Sequence, residues 1–415
     1  MKRFCYAVLC LAAALTVAAA QQPTAPATRE STPAVRQQTF VKVWETVRDK
    51  FFDPNFNGVD WLKVREHYAP LVAAVKTDAE LYDVLNKMLG ELHVSHMEII
   101  TPDEMAQWAA TPTTTGLGLR NVEGRVVVLR VLPGSSAERM GVRPGFVVQQ
   151  IDGADVRALS DALAKLGGAV NTTVRVSFLD EHDAPRELTL ERLPLTSAQV
   201  EHDKIGNLSV YALFEAKRIA DGIGYIRFTT FIEALNPKLR AAVESMHDAP
   251  GLIIDLRGNG GGDDSVALKL VNLLFDRPTG LMITRTRKGD NNDYRARPAE
   301  HPYLGPLVIL VDELSGSASE QITAGLQESG RAYVVGKQSQ GDDMDADLLK
   351  LPTGADLIYA VGQPRTPKGV IIEGRGVIPD LAVNLTRAEL LQGNDAQLTA
   401  AVAYIKRKAT TADMH

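Results

Sequence analysis

Three short runs in this 415-residue chain carry side chains and backbone groups able to do chemistry. Ser315-Gly316-Ser317-Ala318-Ser319-Glu320 follows the apolar stretch Leu307–Val311 and opens a helical pattern. That is a strand-turn-helix position, where a hydroxyl stands at the positive end of a helix dipole and a serine can act as a nucleophile. The same residues can form a helix cap, with Glu320 three positions after Ser317 as in a capping box. Asp255-Leu256-Arg257-Gly258-Asn259-Gly260-Gly261-Gly262 also follows a buried strand and opens a helix, leaving several N–H groups unshielded by side chains. It lacks the Lys-Ser/Thr of a phosphate-binding loop, so an oxyanion hole fits it better than a nucleotide site, and a plain structural turn remains open. A serine needs a base. Among eight histidines, His96 in Glu91-Leu92-His93-Val94-Ser95-His96-Met97 ends a helical region from which it could reach the serine turn. His93 and His96 would share a helix face, but no third ligand accompanies them, so no metal and no cofactor is implied.

The elements that must position these groups fall into three textures. From Gln37 to about Ile100 the apolar residues Phe40, Val43, Trp44, Val47 and Phe51, then Leu62, Val64 and Tyr68, then Leu81, Val84, Leu85 and Met88 recur at helical spacing. From about Thr113 to Leu195, short β-type runs (Arg125–Val131, Phe146–Ile151, Thr173–Phe178) and one helix near Leu159–Leu166 make a compact β-rich module. From Ile223 strands and helices alternate: Tyr225–Phe228, Leu252–Leu256, a helix Asp264–Leu274, Leu307–Val311, a helix Ser317–Glu328 and Ala332–Val335. Short strands Leu357–Val361 and Val370–Ile372 and a helix Ala388–Lys408 complete the chain. In an α/β sheet, adjacent C-terminal strand ends are where sites are built, which places the glycine run beside the serine turn.

Hydrophobic residues at 45% and charged residues at 23% describe an ordinary globular protein and exclude collagen, wholesale disorder and a polytopic membrane protein. The formal charge of −6, with no basic run, argues against nucleic acid as a partner. Met1-Lys2-Arg3, the apolar run Phe4–Ala20 and the small residues before Gln21 predict a signal peptide at 1–20 cleaved after Ala20, hence export to the periplasm or beyond. Both cysteines, Cys5 and Cys10, would leave with it, and the mature chain would carry no membrane span. Lipid attachment at Cys10 would place bulky Leu9 where a small residue is wanted.

Within the β-rich module, Thr115-Gly116-Leu117-Gly118-Leu119, Pro133–Glu138, Gly141–Gly145 and Ile151-Asp152-Gly153 occur in an order that resembles bacterial PDZ domains. The small residues would leave N–H groups for a peptide carboxylate, and the adjoining edge would accept the peptide as a strand. Together with Asp255–Gly262, Ser315–Glu320 and Gly376-Val377-Ile378-Pro379-Asp380, this module makes residues 37–385 resemble the carboxyl-terminal processing (tail-specific) and tricorn-core serine proteases. With the leader at 1–20, a polar, Pro-rich disordered linker at 21–36 and a C-terminal helix within 386–415 read from the residues themselves, the resemblance implies an α+β multidomain fold: helical domain 37–110, PDZ-like domain 112–195 and an α/β core of the ClpP/crotonase-like kind at 196–385.

It also implies roles. In the processing branch Ser317 would be the nucleophile, with a lysine twenty-five residues on; that position holds Asp342, whose carboxylate, with an ordinary pKa near ~4, is too weak a base. Lys337 comes five residues too early. The tricorn-core branch uses a serine-histidine pair with a glutamate, which Ser95, His96 and Glu373 match. His96 would take the Ser317 proton, Glu373 acting through Ser95 would orient the imidazole, and N–H groups of Gly260 or Gly261 and of Ala318 would bind the oxyanion. Val94, Met97 and Phe146 depart from the pattern. The resulting expectation is an exported serine endopeptidase whose PDZ-like residues Gly116, Leu117, Gly118 and Leu119 capture the C-termini of peptides or unfolded tails. An inactive peptide-binding relative and an esterase using the same serine are the alternatives. Activity is expected to rise with pH through an imidazole value near ~6.5. The sequence is silent on oligomeric state.

Overall fold

The computed structural model describes residues 30–109, 113–195, 200–205, 208–291 and 294–412. The expected leader, its cleavage point after Ala20, Cys5 and Cys10, and most of the expected linker lie outside the described residues. The first helix, Pro33–Lys50, starts inside the stretch read as disordered linker, because Pro33 fits the first helical position and the Thr32 hydroxyl accepts the N–H of Val35. Two further helices, Trp61–Ala74 and Asp78–Gly90, pack on it; the second carries a capping box from Thr77 and Glu80.

These helices do not close a core of their own. Phe40, Val43, Trp44, Leu81, Leu85 and Met88 pack against Met344, Leu357, Tyr359 and Ala360 from the far end of the chain. The last three belong to a long strand, Asp356–Arg365, which pairs with Glu98–Ile100, Ile283–Thr286 and Asp345–Lys350 in one five-stranded sheet. The strand expected at Val370–Ile372 is absent: only one bridge, Ile371 with Arg365, remains after the chain turns at Gly369.

Residues 117–191 form a separate six-stranded antiparallel sheet, with strands Leu117–Val122, Arg125–Val131, Val147–Ile151, Thr173–Leu179 and Pro185–Glu191 in that order and Ala154–Asp155 on its flank. It is closed by the helix Leu159–Leu166 over a core that includes Leu119, Val128, Phe146 and Phe178. Leu117–Val122 lies at the end of the order, with one strand partner.

The third sheet has seven strands, and from Gly224–Phe228 through Leu252–Asp255, Leu307–Val311 and Tyr333–Gly336 to Leu381–Ala382 they run parallel. Leu252–Asp255 and Leu307–Val311 are buried at every position, as strands covered on both faces must be. Helices Asn236–Ser245, Asp264–Asn272 and Ala318–Glu328 cover one face, and Ala401 and Ile405 of the C-terminal helix cover the other. The C-terminal segment expected as one helix is two, Arg387–Leu391 and Ala396–Ala412, broken where Gly393 adopts φ 76°. No helix among the described residues is long and apolar enough to cross a membrane.

Candidate active site

The strands Leu252–Asp255 and Leu307–Val311 are hydrogen-bonded neighbours, so the loops that follow them meet. They are stitched together residue by residue. Ser315 Oγ donates to the Leu256 carbonyl at 2.8 Å, the Gly316 N–H to the Asn259 carbonyl at 3.1 Å, and Ser319 Oγ to the same carbonyl at 2.9 Å. Two of the three serines in the turn are therefore structural, and Ser317 is the one whose hydroxyl is not engaged in holding the loops together. Ser317 sits at φ 51°, ψ −124°, a conformation that L-residues rarely adopt and that is held where the surroundings over-determine it. A Cβ at Gly261 would lie 2.7 Å from the Cβ of Ser317, so only glycine fits there.

Asp342 to Met344 bridge the serine turn to the histidine loop. The Asp342 carbonyl accepts the Ser317 N–H at 3.0 Å. Next along the chain, the Asp343 N–H donates to Glu373 Oε2 at 2.7 Å and the Met344 N–H reaches Ser95 Oγ at 3.4 Å. Glu373 also accepts the Ser95 N–H on Oε1 at 2.6 Å and the Ser95 hydroxyl on Oε2 at 2.9 Å. Ser95 Oγ lies 2.8 Å from His96 Nδ1. A hydroxyl has one proton to give. Because Ser95 gives it to Glu373, the contact with His96 requires the proton to be on Nδ1, which leaves Nε2 with its lone pair. His96 Nε2 is buried and has no hydrogen-bond partner.

Burial disfavours charge at this site. It pushes the His96 imidazole down from 6.5 to about 4, well below the value expected from sequence. It raises Glu373 from its ordinary value, against the hydrogen bonds from Ser95 and Asp343. Glu320, read from sequence as a cap, is pushed by burial up to about 7 although four donors converge on it: Ser339 Oγ at 2.5 Å, and the N–H groups of Gly341 at 2.7 Å, Ser317 at 3.1 Å and Asp342 at 3.1 Å. It thus ties the serine turn to the 339–342 loop across the fold, a role that local spacing could not reveal.

Of the expected oxyanion donors, Gly261 is the exception: its N–H donates to Asn259 Oδ1 at 3.0 Å and is engaged. The Gly260 and Ala318 N–H groups have no acceptor among the described residues. Lys337 offers no alternative base, since its ammonium donates to the Asn121 carbonyl at 3.2 Å and lies 3.6 Å from Glu313. Asp255 and Arg257 form a buried two-point clamp at 2.9 and 2.7 Å; burial opposes the Asp255 charge, but Arg257 holds it well below the carboxylate range.

Sequence reasoning also missed Arg120. It leaves the edge strand of the six-stranded sheet, donates to Asp312 at 2.5 Å and reaches Gly258 at the base of the glycine loop. Asp312 in turn accepts the Gly258 N–H at 2.8 Å. The expected peptide-binding residues lie on that same strand and its entry. Gly116 is committed internally, its N–H donating to Thr114 Oγ1 and its carbonyl accepting from Leu132, while Leu119 is buried in the module's core. Among the described residues no group of three His, Cys, Asp or Glu is placed to hold a metal ion.

Residues 222–383 match the description of peptidase family S41, and residues 32–90 match the tricorn protease C1 domain; Ser95 and His96 fall between the two stretches. The chain is 28% identical over 380 residues to the carboxyl-terminal-processing protease of Synechocystis, covering 88% of this chain and 86% of that one. It is 30% identical over 366 residues to the chloroplastic C-terminal processing peptidase of Tetradesmus obliquus, covering 84% and 77%. The solved photosystem II D1 C-terminal processing protease superimposes with a TM-score of 0.59 at 28% identity, over 84% of this chain and 93% of that one. Likeness sustained through most of both chains, in sequence and in backbone, makes this chain a member of peptidase family S41 and a peptidase.

Proposed function

We propose that the chain is an exported serine endopeptidase in which Ser317 is the nucleophile and His96 the general base. The observation that carries this reading is the Ser95 hydroxyl held between Glu373 and His96 Nδ1, which leaves Nε2 as an unengaged base. His96 Nε2 takes the Ser317 proton as Oγ attacks the scissile carbonyl carbon. The N–H groups of Gly260 and Ala318 receive the oxygen as it gains charge, an effect worth ~2.7–4 kcal/mol per donor in other serine hydrolases. The imidazolium, stabilised by Glu373 through Ser95, gives its proton to the leaving amine; water then repeats the sequence on the acyl-enzyme. Asp342 contributes its carbonyl, not its side chain, so the absence of lysine there removes no group from this scheme.

The core 196–385 is read as ClpP/crotonase-like and the module 112–195 as PDZ-like, the open edge of Leu117–Val122 receiving a substrate C-terminus beside Gly118. Relatives named as processors of carboxyl termini support that substrate class. Export rests on the leader-like residues 1–20. Fluorophosphonate labelling of wild type and Ser317→Ala, alongside peptide hydrolysis, tests the assignment: labelling and turnover in wild type alone are expected, and a folded wild type silent in both assays overturns it.

A further inference from the structure

Arg257 stands at the root of the glycine loop, and its buried guanidinium reaches well beyond the loop. Two of its contacts go to Asp255, from Nε at 2.9 Å and from Nη2 at 2.7 Å. The others go to the far end of the chain. Nη1 donates to Asp395 Oδ1 at 3.0 Å and to Gln397 Oε1 at 2.9 Å, and Nη2 lies 2.9 Å from Asp395 Oδ2. These contacts use the whole donor fork of an arginine, which carries no acceptor and no spare geometry. Charge requires the second acid. Asp255 also faces Arg227, whose Nε lies 3.7 Å from Oδ2, so one buried carboxylate is shared between two guanidinium groups. A buried cation without an anion of its own is costly, and Asp395 supplies that anion to Arg257.

Asp395 and Gln397 are themselves fixed. Asp395 caps the helix Ala396–Ala412, its Oδ1 accepting the Leu398 N–H at 3.1 Å. Gln397 is buried and donates through Nε2 to the Val383 carbonyl at 2.9 Å, just beyond the last parallel strand. Ala401 and Ile405 of the same helix pack on the sheet face opposite the helix that begins after Ser317. The fork therefore ties the glycine loop to an element anchored on the far side of the sheet. The backbone after Arg257 needs such an anchor. Gly258 and Gly261 sit at φ 73° and φ 104°, and Gly260 between them has no side chain to hold it. Asp312 accepts the Gly258 N–H, and the Asn259 carbonyl accepts from Gly316 and Ser319, so the tilt of the Gly260 peptide follows from where the Arg257 end of the loop is held. An oxyanion donor must be aimed at the point where charge develops, and a misplacement of about 1 Å can cost ~10²-fold in rate.

We infer that Asp395 and Gln397 are positioning residues for the oxyanion pocket: through Arg257 they hold the glycine loop so that the Gly260 N–H points at the oxygen of the tetrahedral intermediate. This rests on the serine-peptidase reading above. The test uses Asp395→Ser, which still caps a helix but is too short to reach Arg257, and Gln397→Leu. Asp395→Ser is expected to lower kcat tenfold or more and Gln397→Leu at least threefold, each with KM changed less than twofold, as when an interaction made in the transition state is lost. Affinity for a peptide aldehyde, whose adduct with the serine puts an oxygen in the pocket, should fall tenfold in Asp395→Ser while that for the matching peptide amide stays within twofold. A merely structural role would move both alike. Unchanged kcat in both variants, or parallel loss of aldehyde and amide binding, overturns the inference; should Asp395→Ser not fold, Gln397→Leu decides by the same readings. Hydrogen exchange needs no turnover: amides of residues 256–262 should exchange at least fivefold faster in the folded variant, with those of Leu307–Val311 unchanged. If wild type neither cleaves peptides nor binds the aldehyde, the peptidase reading fails and this exchange comparison alone decides whether Asp395 and Gln397 hold the loop; equal exchange overturns it.

Discussion

The carbonyl of Asp342 accepts the N–H of Ser317 at 3.0 Å, so the residue at the position where the resemblance led one to expect a lysine holds Ser317 by its backbone. Its side chain lies toward Gln340, whose amide reaches Asp342 Oδ2 at 2.6 Å. Asp342→Ala should therefore leave most peptide hydrolysis in place, whereas Ser317→Ala and His96→Ala should each lower kcat by ~10³-fold or more without unfolding, as for members of other serine-hydrolase triads. Steady-state kinetics with circular dichroism on each variant checks this.

Lys337→Ala should change turnover by less than about threefold, because a half-buried ion pair with Glu313 has the modest worth of surface pairs. A loss comparable to that of His96→Ala would return the base to lysine.

Burial sets the pH dependence. With His96 held to about 4, the acid limb of kcat/KM should fall well below the ordinary imidazole value. Stability should follow the same group. Between about 6.5 and about 4 the unfolded chain takes up a proton that the folded chain refuses, so stability falls as pH drops through that window, by of order 3 kcal/mol at most for this residue. Urea denaturation at pH 7 and pH 4.5 checks it, and His96→Asn should remove that share of the decline. An activity midpoint above ~8 would contradict a buried histidine base.

Glu320→Gln should destabilise the fold by about 1–3 kcal/mol and depress activity together, because an amide nitrogen would face N–H and O–H donors that now converge on a carboxylate. Thermal melting and kinetics on one preparation read both effects.

Arg120→Ala should cost about 3–5 kcal/mol by leaving Asp312 buried without its cation. The double variant Arg120→Ala, Asp312→Asn should recover part of that stability, which a double-mutant cycle measures.

The parallel-sheet core was legible because its strands are continuous apolar runs: Leu307–Val311 matches its expected limits, and Leu252–Asp255 and the helix Ala318–Glu328 differ by one residue at an end. The serine turn and glycine loop were legible for the same reason, each following such a run. What stayed hidden is non-local. The alternating acids of Asp345–Lys350 look like loop until Asp356–Arg365 pairs with them, and the latter reads as a short strand because its outer half mixes Gly362, Gln363 and Pro364 into the pattern. Gly261 could not be told from Gly260 because the Asn259 amide decides between them. The effect of desolvation on His96 requires neighbours far away in the chain.

The contact between Ser95 and Glu373 spans 278 residues, and the front helices complete their core only on the strand Asp356–Arg365. During synthesis, then, a ribosome-bound chain can carry both serine and histidine long before the glutamate emerges to fix the ring. Chain order therefore has a consequence: a product that stops short of Glu373 carries Ser317 and His96 but lacks the carboxylate that holds Ser95.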